Sequence, residues 1–307
     1  MHLYIAQRLL SAVPVIVGVT LLVFLMLHLV PGDPAAQMLG EMAVSETAIL
    51  NLREQMGLND PLHVQYGNFL ASALRGELGV SILARRTVGE MIGSNLPATL
   101  TLTLAGLGIA FLVGGVLGIL AAVFQNSWVD RVSMSFAILG VSMPSFWLGL
   151  LLIFLFSLRL GWFPATGSGG IERLVLPAFT LGVAGAAVIS RMVRSSMLEV
   201  MRQDYVRTGR AKGLSESRVV LKHVLRNALI PVLTIVGLEF GRLLSGTVVI
   251  EVVFARPGIG RLLVDAILKK DFQVVQGVVL VSALFYLAVN LIVDLSYSFV
   301  DPRIRYS

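Results

Sequence analysis

The 307-residue chain contains no cysteine, which excludes a disulfide framework, a thiolate metal site and a cysteine nucleophile. It is also poor in charge. Asp, Glu, Lys and Arg make up only 14% of its residues and 56% are hydrophobic, whereas a soluble globular protein carries about 25% charged residues. An ordinary soluble protein is thereby excluded. The deficit lies in gaps, because no ionised side chain occurs between Arg8 and Asp33, between Glu90 and Asp130, or between Arg131 and Arg159. A helix crossing a hydrocarbon core of about 30 Å needs roughly 20 mainly apolar residues, and a charge at its centre is costly. Spans are therefore expected near 9–30, 99–123 and 133–158. The apolar runs Leu174 to Ser190 and Phe272 to Val293 supply two more. A sixth, 229–250, is interrupted by Glu239 and Arg242, whose three-residue spacing puts them on one helix face, where pairing lowers the burial penalty. The expected fold is an all-α polytopic membrane protein with about six transmembrane helices.

Prolines and glycines are plentiful, and both are tolerated in transmembrane helices. Gly114 with Gly118, and Gly237 with Gly241, have the spacing that permits close helix approach, a spacing also common by chance. The first apolar run ends in Val30-Pro31-Gly32-Asp33-Pro34 without a small-residue cleavage pattern, so it reads as a retained anchor and not as an export signal.

Basic residues set the orientation. With the N-terminus inside, the inner segments 1–8, 124–132, 191–228 and 301–307 hold 13 Lys and Arg in 62 residues, against 10 in 104 for the outer segments 31–98, 159–173 and 251–271. This density favours both termini in the cytoplasm. Segment 31–98 carries net −3, which suits a solvated cap and could also bias a substrate or an external partner. A short helix is expected over Ala43 to Gln55, stopping at Met56-Gly57-Leu58-Asn59-Asp60-Pro61.

The whole excess of positive charge sits in segment 191–228, with 9 basic and 3 acidic residues, while the rest of the chain holds 15 of each sign. This location turns the excess away from nucleic acid and toward a cytoplasmic platform. Charges and apolar residues there alternate at helical spacing, Gly213 breaks the pattern, and Ser215 restarts it. Helices lying along the membrane face are expected, serving either as an anchor with snorkelling cations or as a dock for a cytoplasmic protein. None of the four lysines, Lys212, Lys222, Lys269 and Lys270, completes a Walker A loop, and His2, His28, His63 and His223 have no metal-ligand spacing. No catalytic, cofactor or metal residues are therefore assigned.

Polar residues within the spans mark either helix packing or a pathway: Ser142 and Ser145 beside Pro144, Glu239 with Arg242, Asn290 and Asp294. The serines read as a packed bend, Asp294 as a helix-interface hydrogen bond, and the Glu239–Arg242 pair as a structural ion pair or a substrate contact.

Nearly the full length is similar to the DppB/OppB-type permease subunit of bacterial peptide ABC importers. The similar stretches include Arg8-Leu9-Leu10, His28-Leu29-Val30-Pro31-Gly32-Asp33-Pro34, Asp204-Tyr205-Val206-Arg207-Thr208, Arg210-Ala211-Lys212-Gly213-Leu214, Pro257-Gly258-Ile259-Gly260-Arg261 and Asp301-Pro302-Arg303-Ile304-Arg305. The resemblance implies a type I ABC importer transmembrane subunit of the bacterial inner membrane, with residues 1–98 as first helix and external segment, 99–300 as permease core and 301–307 as cytoplasmic tail. It implies that Asp204, Tyr205, Arg207, Arg210, Ala211, Lys212 and Gly213 dock an ATPase, with Gly209 where an alanine is usual. It also implies a homologous second permease, two cytoplasmic ATP-binding subunits that hold ATP and Mg, and a periplasmic or lipid-anchored substrate-binding protein. Dipeptides, oligopeptides or glutathione-like peptides are the implied cargo. Nickel chelates are the nearest alternative, and an ion-coupled secondary transporter is the alternative of another class.

Overall fold

A computed structural model describes residues 2–29, 35–36, 46–55, 57–81 and 83–300, apart from the side chains of 2–9, 27, 52 and 294–300. Expectations resting on residues 30–34, 43–45, Met56, the tail 301–307 and the side chain of Asp294 fall outside the described residues. The helices are α1 (His2–Leu29), α2 (Glu46–Gln55), α3 (Leu62–Leu74), α4 (Val88–Val123), α5 (Trp128–Ser142), α6 (Ser145–Arg159), α7 (Glu172–Met201), α8 (Asp204–Ala211), α9 (Glu216–Val253), α10 (Ile259–Leu268) and α11 (Phe272–Val300). A two-residue antiparallel hairpin, β1 (Val80–Ser81) and β2 (Arg86–Thr87), precedes α4.

Among the described residues four helices are long and apolar enough to cross a membrane: α4, α7, α9 and α11 over Phe272–Val293. The pair α5 and α6 makes a fifth if counted as one bent span. The sixth expected span corresponds to α1, whose described apolar stretch is Leu10–Met26. The single span expected over 133–158 is broken instead, with α5 and α6 meeting at 106°. Pro144 supplies no amide hydrogen and forces Met143 out of the helical region to φ −80°, ψ 126°. A second correction concerns Ser215. The helix it restarts is no separate surface element but runs through a π-helical stretch, Val219–Val224, into the following span.

The described chain folds as two compact units, one built from the chain up to Pro97 and from Gly258–Ala288, the other from Ala98–Pro257 and from Val289 onward. In the first, Val88, Ile92, Ile259, Ala266, Val274, Val275 and Val278 form an apolar cluster. The hairpin is tied to it by Ser81 Oγ, which donates to Asp271 Oδ2 at 2.5 Å, and by Val80 N–H, which donates to Gln273 Oε1 at 2.9 Å. Helices α1 and α3 meet through the hydroxyls of Thr20 and Tyr66 at 3.0 Å and through His28 Nε2 and Gln65 Oε1 at 3.1 Å.

In the second unit α7 is the central helix. Small residues bring its neighbours to backbone contact: a methyl group at Gly114 would sit 2.5 Å from the Ala186 carbonyl oxygen, and one at Gly118 would sit 2.6 Å from that of Ser190. The Gly114 and Gly118 spacing thus marks a real close packing of α4 on α7. Gly140 of α5 also packs closely on α7: a methyl group there would sit 3.0 Å from a Val183 methyl and 3.3 Å from the Val183 carbonyl oxygen.

Candidate coupling surface

The basic segment builds a small, well-anchored projection. Helix α8 has eight residues, too few to be stable alone, and tertiary contacts must therefore hold it. Val206 is fully buried and joins Met197, Val219, Val220 and Val224 in one apolar cluster. Around it Asp204, Tyr205, Arg207, Arg210, Ala211, Lys212 and Gly213 are all exposed. Every residue that the resemblance assigned to ATPase docking is therefore solvent-accessible.

Three local features fix that surface. Gly213 has φ +79°, the left-handed conformation that ends the helix, with Gly213 N–H donating to the Arg210 carbonyl and Leu214 N–H to that of Gly209. Arg210 donates twice to Glu216, at 3.1 Å from Nε and 2.6 Å from Nη2, and so bridges the turn from α8 to α9. Asn227 Nδ2 donates to the Tyr205 hydroxyl at 2.9 Å. Gly209, in the position where the resemblance has alanine, leaves open space apart from Leu214 at 3.6 Å.

The polar span residues differ in their surroundings. Glu239 is buried and accepts from Arg242 at 2.8 Å (Nε) and 2.6 Å (Nη2). Across the interface Gly185 of α7 makes room, since a methyl there would lie 3.3 Å from Glu239 Oε2. Asn290 is half-buried on α11, and Ser142 and Ser145 flank the bend at Pro144.

Two charged contacts and one buried guanidinium escaped the sequence reading. Asp130, next to the N-cap Ser127 of α5, accepts a bidentate pair from Arg194 of α7, both bonds at 2.7 Å. Its signal was legible, because Asp130 and Arg131 are an isolated pair of charges between two charge-free gaps. Glu251 is fully buried and accepts from Thr99 Oγ1 at 2.6 Å. Arg256 is buried, and its Nε and Nη1 find no partner among the described residues. Burial pushes its guanidinium below the ordinary value, against the opposing pull of the Glu251 carboxylate. Among the described residues no three His, Asp or Glu side chains converge as metal ligands.

Comparison with known proteins fits this geometry. Residues 114–306 match the family described as binding-protein-dependent transport system inner membrane component, and residues 1–103 match its N-terminal region. The chain is 47% identical over 303 residues to the glutathione transport system permease protein GsiC of Salmonella typhi and of Salmonella typhimurium, covering 99% of each protein. It is 46% identical over the same length to GsiC of Escherichia coli (strain K12), again covering 99% of each. The fold is shared with the inward-facing MetNI methionine ABC transporter at a TM-score of 0.60 and 20% identity, over 69% of this chain and 96% of that one. An amino acid ABC transporter crystallised with histidines gives a TM-score of 0.54 at 16% identity, over 68% and 94%. The fold is thus that of an ABC importer transmembrane subunit. The narrower DppB/OppB-type resemblance gives way to the broader family, since these relatives carry the glutathione-permease name. The chain belongs to the inner-membrane component family of binding-protein-dependent transport systems, as a multi-pass permease subunit.

Proposed function

We propose that the chain forms half of the membrane pathway of an ATP-driven importer for short peptides, with glutathione-like peptides the favoured cargo. The observation that carries this reading is the 47% identity over 99% of both chains to glutathione transport system permeases. In this reading residues 99–300 make the permease core, residues 1–98 supply the first helix and the external segment, and 301–307 form a tail. Both termini lie in the cytoplasm, in keeping with the density of basic residues in the inner segments.

The chain itself does no covalent chemistry. Two cytoplasmic ATP-binding subunits bind ATP and Mg and receive the exposed side of α8, with Asp204, Tyr205, Arg207, Arg210, Ala211, Lys212 and Gly213 at the contact. Val206 fixes the inner side of the same helix in the apolar cluster. Movement of the ATPases would then reach α9 directly, because only the turn spanned by the Arg210–Glu216 pair separates α8 from that span. A homologous second permease completes the pathway and a substrate-binding protein delivers the cargo. Glu239, Arg242, Asn290 and Asp294 act in helix packing or along the pathway.

The test is accumulation in proteoliposomes that hold the complete importer, with tri-alanine, glutathione and chelated nickel in competition. ATP-dependent uptake of glutathione or tri-alanine is expected. Uptake of the nickel chelate alone, or uptake by the isolated chain under an ion gradient, would overturn the reading.

A further inference from the structure

Within the first unit the segment that carries the net negative charge encloses a cleft of about 530 Å3, inside the range of roughly 300–1,000 Å3 usual for small-ligand sites. Its walls come from α1, the end of α2, α3, the strand entry at Gly79 and the start of α11. The floor is aromatic, with the rings of Phe24 and Phe69 at 6.2 Å between centroids. Glu54 and Glu77 line the rim and are exposed, and no lysine or arginine is among the lining residues.

Two glutamines are held in defined orientations. Gln276 Nε2 donates to the Val23 carbonyl at 3.0 Å, and Gln273 Oε1 accepts from Val80 N–H at 2.9 Å. Each amide thus spends one polar atom on the protein and keeps the other, a carbonyl oxygen on Gln276 and an NH2 donor on Gln273. A donor, an acceptor, an aromatic floor and two carboxylates, with no lysine or arginine in the lining, together suit a peptide backbone carrying a free ammonium group.

We infer that this cleft binds the ammonium-bearing end of a short peptide, on the face that the charge count assigns to the exterior. The inference rests on the peptide reading above. It adds a contact for cargo on this subunit, within the first unit, where α1 and the start of α11 meet α2 and α3.

The experiment is equilibrium binding of radiolabelled tri-alanine to the assembled importer in nanodiscs, without its binding protein. Glu54→Gln and Glu77→Gln are each expected to weaken binding about fivefold, the upper range for exposed ion pairs. The double variant is weaker still, and N-acetyl-tri-alanine binds the unmodified importer as poorly as tri-alanine binds the double variant. Glu90→Gln removes an exposed charge of the same unit outside the cleft and leaves binding unchanged. Equal loss with Glu90→Gln, or indifference to N-acetylation, would overturn the inference. Failure of the peptide reading itself is separable: the complete importer would then accumulate neither tri-alanine nor glutathione, whereas accumulation with binding indifferent to the cleft would sink this inference alone.

Discussion

If Val206 anchors the coupling projection, then shortening it should loosen α8 and little else. Val206→Ala removes two methyl groups from a fully buried position, a transfer loss of about 1.6 kcal/mol, which the unfilled space raises to roughly 2 kcal/mol. The other ties of α8 are weak substitutes. The Arg210–Glu216 pair is exposed on both sides and is worth less than about 1 kcal/mol, and the Tyr205–Asn227 hydrogen bond is also exposed. A loss of 2 kcal/mol multiplies the open population of α8 about 30-fold. Hydrogen–deuterium exchange of the purified chain reads this directly. Amides of α8 should exchange about 30-fold faster, while those of the central helix α7 keep their rates. Unchanged exchange in α8, or equal acceleration in α7, would refute the claim that this side chain is a local anchor.

Other expectations follow from the same contacts. Gly114→Ala places a methyl against the Ala186 carbonyl and should lower thermal stability by about 1–3 kcal/mol, whereas Gly115→Ala meets open space and should be neutral in the same melting assay. Arg194→Ala leaves Asp130 buried without its bidentate partner and should cost about 3 kcal/mol. The double variant Asp130→Ala with Arg194→Ala should recover part of that loss, and a double-mutant cycle of melting temperatures checks it. Gly185→Ala crowds Glu239 and Ala110; less folded chain in detergent, with no change in cargo preference of what remains, is the expected outcome if the Glu239–Arg242 pair is structural. Arg207→Glu should weaken ATPase co-purification more than Arg210→Glu, because Arg210 is already engaged with Glu216.

The membrane architecture was legible because burying charge in lipid is costly, so gaps between charges locate the spans. The end of α8 was legible too, since Gly213 breaks a basic amphipathic pattern at the position where the chain turns. The bend at Pro144 was visible as a bend, but its 106° angle was not, because a single proline permits anything from a kink to a full break depending on what packs around it. The continuity of α9 through Val219–Val224 was hidden for a similar reason. A π-helical turn keeps the helix going where α-helical periodicity slips by a residue, so a reading based on 3.6-residue spacing sees a stop. Long-range polar partners such as Thr99 with Glu251, and Arg194 with Asp130, lie 152 and 64 residues apart, and no local pattern can pair them.

The chain's lack of cysteine makes the central claim directly testable. A single Arg207→Cys substitution gives a unique thiol on the exposed side of α8, and disulfide trapping against cysteines introduced along the surface of the ATPase subunit reports contact. Rapid trapping at Arg207→Cys that changes with ATP, and none from a control thiol at Glu90→Cys, is the predicted result. An importer that remains assembled and active while Arg207→Cys stays unreactive toward every ATPase position would contradict the account.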